Sequence, residues 1–289
     1  MKKSKRIPNI IINIMFCLGS LVFILPFVLI ISASFSDEQT LLSSVFSTEA
    51  YKYVFRNPQQ LLDSYKVTII YSIVATVLGV VVMAMLAYPL SRPNYKYKKI
   101  ATFFIFFTML FSGGLIPTYI WITRYLHLGD TIWVYILPCL VNAFHVIVIR
   151  SFFQGLPQAL MESAKIDGAS ELQTFFKIVM PLSKPVIATI SLLTLLSRWN
   201  DWNTALIYIK SSNLYSLQYL LQKILREAEF VKNMAESSPV AGVDLDLSNL
   251  PSVTIRFAMC MVAAGPMLII FPFFQKYFAK GLTVGAVKG

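Results

Sequence analysis

The sequence predicts an all-α polytopic membrane protein: six transmembrane helices and a helix-turn-helix displayed in the cytoplasm. Three observations carry that prediction. First, 56% of the 289 residues are hydrophobic and 13% are charged, about half the charge of a soluble domain at roughly 25%. So few polar groups cannot cover a globule in water, and so many apolar ones exclude a disordered chain. Second, the charges are confined to short segments between long uncharged runs. Third, those runs match a helix crossing a hydrocarbon core about 30 Å thick, which needs roughly 20 residues at about 1.5 Å each.

Taken in order, Ile7 to Ser36 carries no charge and follows Lys2, Lys3, Lys5 and Arg6. It is about twice as long as a signal-peptide core and lacks a small-x-small cleavage site, so it reads as an uncleaved anchor. Val67 to Ser91, Ile100 to Thr123, Thr131 to Ile149 and Phe257 to Gln275 are likewise uncharged, while Pro185 to Ile209 holds Arg198 and Asp201. Six spans near 10–33, 67–90, 100–123, 131–151, 185–209 and 256–276 follow, in one transmembrane domain covering 1–289. A β-barrel does not fit, because its strands alternate over about 10 residues.

Orientation comes from the basic residues. With both termini in the cytoplasm, the inner segments hold 15 Lys and Arg in 63 residues and the outer ones 9 in 85, the imbalance the positive-inside rule requires. Loop 152–184 is then internal and loop 210–254 external. The net charge of +11 is a topology signal spread over loops rather than a basic face, which excludes a nucleic-acid partner.

The chemistry the chain lacks narrows its function. Cys17, Cys139 and Cys260 each sit in an apolar run with no CxxC, so no disulfide framework or metal site is expected. No phosphate loop, H-E-x-x-H or G-x-S-x-G occurs. His145 in the fourth span is either a proton-relay residue or a hydrogen-bonding partner for a neighbouring helix. A membrane enzyme would need a nucleophile–base set that is missing. A self-sufficient carrier or channel for a polar solute is the alternative class; it would show inverted repeats between its halves, and none is visible.

Loop 152–184 is the most informative segment. Pro157 opens and Gly168 closes a helix of about ten residues, from Pro157 to Asp167. Ser170 and Gln173 form a capping box for a second helix, and Pro181 ends it. Leu172, Phe175, Phe176 and Val179 fall at i, i+3, i+4 and i+7, predicting one apolar stripe. Each helix is about 15 Å long, too short to cross a bilayer. Physics alone leaves two readings: a docking element for another protein, or an amphipathic hairpin on the inner leaflet.

Glu162-Ser163-Ala164, Gly168 three residues later, and Ile178-Val179-Met180-Pro181 nine residues after that resemble the EAA signature of ABC importer permeases, EAA-x3-G-x9-I-x-LP. Ser163 and Met180 depart from it, and the spacing is intact. The Gly281–Gly289 tail resembles that of the shorter permease of maltose-type transporters. Phe111 to Tyr119 and Arg198-Trp199-Asn200-Asp201-Trp202 resemble the branch for complex oligosaccharide or polysaccharide uptake.

The resemblance implies one half of a permease in a bacterial cell membrane, paired with a second homologous permease subunit. Two separate ATPase subunits, a homodimer, would bind ATP and Mg, and this chain, which has no phosphate loop of its own, would bind no cofactor. An extracellular solute-binding protein would deliver an oligosaccharide. Glu162, Ser163, Ala164, Asp167, Gly168, Ile178 and Pro181 are the expected ATPase-coupling residues, Glu162 pairing with a basic group and Gly168 forming the turn.

Arg198, Trp199, Asn200, Asp201 and Trp202 are the candidate substrate path. Ionisable groups within a span usually face a cavity or a partner, and Trp faces and Asn amides suit a sugar. The same residues also fit a structural Arg–Asp pair, three apart on one helix, with Trp packed between helices. In maltose-type transporters the sugar is held by the other permease subunit. The topology is tested by cysteine labelling of intact cells: a cysteine at Ser237 should react from outside and one at Ser170 should not. The reverse pattern contradicts six spans with internal termini.

Overall fold

The computed structural model describes residues 6–36, 46–237 and 252–286. Two compact units divide the chain: Met1–Pro58 with Leu221–Gly265, and Gln59–Leu220 with Pro266–Gly289. Among the described residues the regular structure is helical, apart from an isolated bridge between Ser36 and Phe46.

In the first unit, α1 (Arg6–Ser34) is apolar over its whole circumference, with Phe16, Phe23 and Leu21 all exposed. Such a helix requires lipid or protein around it. The bridge at its end is reinforced by Phe35 stacking between Phe46 and Tyr51, and Ser34 hydrogen-bonds the Tyr51 hydroxyl at 2.9 Å. Tyr51 belongs to α2 (Glu49–Val54).

The second unit is organised on α3 (Pro58–Ser91), 34 residues long and so about 51 Å end to end. One face of α3 is buried along Tyr71, Ala75, Met83, Ala84 and Ala87, while Ile70, Ile73, Val77 and Met85 are exposed. The elements that follow are α4 (Lys98–Leu110), α5 (Leu115–Ile120) with a widened turn at Trp121–Tyr125, and two tight turns at Ile132–Tyr135 and Leu137–Cys139. Then come α6 (Ala143–Gln154), capped by the Asn142 side chain, α7 (Gln158–Ile166) and α8 (Glu171–Thr174). A widened turn at Phe175–Val179 leads into α9 (Met180–Leu182) and α10 (Lys184–Trp199). The chain continues through α11 (Asn203–Tyr208) to α12 (Leu217–Ser237) and α13 (Ser252–Ala286), of which Leu221–Gly265 belongs to the first unit.

Three helices are long and apolar enough to cross a membrane: Ile12–Ser34, Pro58–Ser91 and Thr254–Pro272. Three bent pairs could each make one more: Lys98–Leu110 with Leu115–Tyr125 at 111°, Ile132–Cys139 with Ala143–Gln154 at 47°, and Glu171–Leu182 with Lys184–Trp199 at 81°. The expected third, fourth and fifth spans are therefore not continuous rods. Hydropathy registers apolar composition, which helix, tight turn and broken helix share. The breaks of these pairs fall at Phe111–Gly114, at Leu140–Asn142 and at Ser183, and the expected fifth span, 185–209, is interrupted again at Asn200–Trp202. The Lys2, Lys3 and Lys5 expected to flank the first span, the 238–251 part of the external loop, and residues 287–289 of the tail lie outside the described residues.

The core holding this unit together gathers Met83, Ala87 and Tyr88 of α3, Val146, Ile149 and Phe153 of α6, Phe175 and Val179 of the widened turn, and Val186 and Ile190 of α10. A second tight approach lies farther along α3. A Cβ on Gly79 would stand 2.9 Å from the Leu140 carbonyl oxygen, closer than a carbon tolerates. Alanine in a helix interior otherwise gains about 1 kcal/mol over glycine, and forced overpacking costs about 1–3 kcal/mol. Gly79→Ala should therefore lower the melting temperature of the detergent-solubilised protein despite the better propensity, and Gly79→Leu more so. An increase for Gly79→Ala would show that the two segments can separate freely.

Candidate functional site

The α7–α8 hairpin forms as its punctuation predicts. Pro157 is the residue before the first helical turn rather than in it, with ψ 118°, and the helix closes at Ile166. Gly168 adopts φ 77°, a left-handed conformation a side chain resists by about 1 kcal/mol or more. Its amide donates to the Lys165 carbonyl at 3.2 Å and the Ala169 amide to the Ala164 carbonyl at 2.9 Å. That pair of bonds is the Schellman closure of a helix end. Ala164 is 6% exposed, so the third residue of the signature is a buried closure position. The Ser170–Gln173 capping box is complete, at 2.9 and 3.2 Å.

Two expectations are corrected. Leu172, Phe175, Phe176 and Val179 do not share one face: Phe175 and Val179 are buried, whereas Leu172 is 62% and Phe176 50% exposed. The widened turn at Phe175–Val179 carries more residues per turn than an α-helix, so ordinary spacing misjudges the direction of its side chains. Pro181 does not end the helix, which runs on to Leu182 and stops at Ser183. A wide turn places Pro181 where its missing amide N–H interrupts no helix.

The outward side of the hairpin carries Glu162, Ser163, Asp167 and Gly168, all exposed, together with Leu160 at 45% and Ile166 at 85%. Ile178 is half-buried and Pro181 exposed. Ile166 thus stands as an exposed apolar side chain beside the exposed Asp167 carboxylate. The inward side is fastened to α3. Tyr88 Oη donates to Glu171 Oε2 at 2.7 Å, and Arg92, just past the end of α3, lies 3.7 Å from the same oxygen. Arg92 also donates to the Tyr88 hydroxyl and to Met161 Sδ. Arg150 Nε of α6 bonds the Leu90 carbonyl at 3.1 Å, satisfying an open carbonyl at the α3 C-terminus. None of these four polar residues was legible as a site, since apart from the Tyr88–Arg92 contact their partners lie 60 to 83 positions away.

The second candidate cluster sits elsewhere on α3. Tyr71 stacks on Tyr135 with ring centroids 4.4 Å apart and donates to the Arg198 carbonyl at 2.9 Å. Tyr71 precedes Tyr88 by 17 residues, so this cluster is about 25 Å along the helix from the hairpin. Arg198 and Asp201 do approach, at 3.8 Å with side chains 18% and 13% exposed. They do so across a break rather than along one helix, because α10 ends at Trp199. Asp201 is held more closely by Thr204, whose amide and hydroxyl donate to it at 3.0 and 2.7 Å. The bonds to Thr204 in the first turn of α11 are thus its shorter interactions, and the ion pair the longer one. The Asp201 carbonyl in turn accepts from Ser216 Oγ at 2.9 Å. Trp199 is buried at 2%, whereas Asn200 and Trp202 are exposed; of the five expected path residues, these two present open side chains. His145 reaches Thr194 of α10, Nδ1 to Oγ1 at 3.4 Å, the interhelical contact that was one of its two readings.

A third polar knot ties loop 126–131 to the segment after α11. The Lys210 and Ser211 amides donate to Asp130 Oδ1, both at 2.9 Å, and Ser211 Oγ to Oδ2 at 2.6 Å. The Ser211 hydroxyl first, then the two amides, hold the Asp130 carboxyl below its ordinary value. A depressed folded value means that the contribution to stability is complete above the unfolded value of about 3.9 and is lost as pH falls through the folded one. Thermal melts between pH 6 and pH 2 should therefore show an acid-side loss in the wild type that is smaller in Asp130→Asn. Parallel pH profiles would contradict the knot.

Over residues 1–284 the chain matches the family described as binding-protein-dependent transport system inner membrane component. It is 38% identical over 283 residues to the polygalacturonan/rhamnogalacturonan transport system permease protein YtcP of Bacillus subtilis (strain 168), covering 93% of this chain and 94% of that one. Protein LplC of the same organism is 40% identical over 285 residues, covering 96% and 94%. Among solved structures, a chain of a bacterial ABC transporter involved in the import of the acidic polysaccharide alginate superposes with a TM-score of 0.74 at 28% identity, covering 96% of this chain and 99% of that one.

Proposed function

The chain belongs to the family of inner-membrane components of binding-protein-dependent transport systems, and on that premise we propose the parts and path of the importer in which it works. It is a multi-pass membrane permease subunit of an ABC importer. The proposed assembly pairs it with a second homologous permease. Two copies of one ATPase bind ATP and Mg on the cytoplasmic side, and a solute-binding protein docks outside. The cargo is an oligosaccharide or polysaccharide fragment, a reading supported by the substrates printed for YtcP and for the alginate importer. The proposed membrane arrangement is a single six-span domain with both termini and loop 152–184 inside.

The observation that carries the coupling role is the hairpin itself. Its outward face is polar and exposed around Glu162, with Ile166 85% exposed, and its inward face is embedded among the ends of α3, α6 and α10. A rigid projection so rooted transmits force in both directions. In this reading Glu162 meets a basic group of the ATPase, and Ser163, Ala164, Asp167 and Gly168 set the shape of the helix end. Ile178 and Pro181 shape its return to the membrane. ATP-driven closure of the ATPases pulls the hairpin and switches the spans between outward and inward access. Asn200 and Trp202 are the members of the Arg198–Trp202 segment that contact passing sugar, and Arg198, Trp199 and Asp201 hold the break that presents them.

Stranding a buried partner charge costs roughly 3–5 kcal/mol, so Glu162→Lys should abolish co-purification of the ATPase from native membranes. Gly168→Val should weaken it by distorting the turn. Both variants should still insert at wild-type levels, since neither residue lies in a span. Full ATPase attachment by Glu162→Lys would contradict the docking role and favour a hairpin lying on the inner leaflet.

A further inference from the structure

We propose that Arg92, with Tyr88 and Glu171, is a latch that makes α3 follow the hairpin, and that it sets coupling efficiency rather than stability. The inference rests on the docking role of α7 and concerns a different link in the same chain of force.

Arg92 is the residue that touches all three moving parts. It reaches Met161 on α7, Glu171 on α8 and Tyr88 on α3. Its guanidinium also lies 4.5 Å from the centroid of the Tyr88 ring, a cation–π arrangement. Tyr88 Oη closes the triangle by donating to Glu171 Oε2 at 2.7 Å. Arginine suits this position because its planar fork offers several donors in fixed directions.

The flank beside the latch is open. A cleft of about 400 Å³ lies there, lined by Met85, Pro89, Asn94, Tyr95 and Leu172 as well as the latch residues. Phe175 also borders this cleft, its ring centroid 5.3 Å from that of Tyr88, and with Val179 it is otherwise buried in the core. Apolar packing of Phe175 and Val179 holds the hairpin to the core, and the polar contacts of Glu171 and Met161 to Tyr88 and Arg92 tie it to the end of α3. With Glu171 71% exposed, the ion pair adds little to fold stability. What it removes is a freedom: without it, the hairpin could pivot about Phe175 into the cleft while α3 stayed in place.

The test uses the assembled transporter, with Cys17, Cys139 and Cys260 replaced by alanine and a reporter cysteine at Val77, exposed on α3. The readouts are the nucleotide-dependent change in reporter reactivity, ATP turnover, ATPase attachment and melting temperature. Arg92→Ala should keep attachment, turnover and melting temperature while reducing the reactivity change about tenfold, within the range of allosteric couplings. Arg92→Glu and Glu171→Arg should each do the same, and the two together should restore the change. Tyr88→Phe should give an intermediate value. A wild-type reactivity change in Arg92→Ala overturns the latch. So does a melting temperature or attachment that falls in step with the reactivity change, and so does the absence of any nucleotide response at Val77 with Arg92 intact. Failure of the docking role is visible separately, as normal attachment of ATPase to Glu162→Lys.

Discussion

The burial of Phe175 and Val179 among the ends of α3, α6 and α10 is the contact on which the rest depends. Removing the ring of a buried phenylalanine costs roughly 3–5 kcal/mol, several times the worth of an exposed ion pair at about 0–1 kcal/mol. Packing therefore decides that the hairpin is part of the helical body, and the polar groups decide how it is oriented on that body. A projection anchored in this way can pass a movement of its outer face to α3, about 50 Å long. An amphipathic hairpin resting on a leaflet would keep Phe175 and Val179 in lipid.

The two candidate sites sit at distant points on one element. The hairpin grips α3 at Tyr88 and Arg92, and the broken α10–α11 segment grips it at Tyr71. The helix between them carries Gly79, where the backbone of Leu140 approaches too closely for a side chain. A shift of α3 at one grip is thus felt at the other through a close-packed interior, which has discrete arrangements and little slack. Under the proposed coupling role, this continuity is what would link the ATPase side of α3 to the Arg198–Trp202 segment.

The hairpin was legible because its signals are local and backbone-based. Gly168, the Ser170–Gln173 box and the small Ala164 each act within six residues of chain. The fold class was equally legible, since composition alone excludes a soluble globule. The breaks at Phe111–Gly114, Leu140–Asn142 and Asn200–Trp202 were not, because hydropathy does not register whether backbone hydrogen bonding is continuous. The Gly113-Gly114 pair and the polar Asn200-Asp201 step were the available hints. The stripe through Leu172 and Phe176 failed for a related reason: a widened turn changes the angle per residue, and period arithmetic assumes that angle constant. The Arg92, Tyr88 and Glu171 cluster and the Asp130–Ser211 knot join residues 79 to 83 apart, and no local pattern encodes them.

The central claim is that the hairpin and the adjoining end of α3 move as one body. Spin labels at Ile166 and at Leu86 near the end of α3, both exposed, in the assembled transporter would measure it by electron–electron double resonance, with and without a non-hydrolysable ATP analogue. The account predicts one narrow distance distribution that stays the same in both states. A distribution that shifts or broadens on nucleotide binding, with the ATPase still attached, would contradict it.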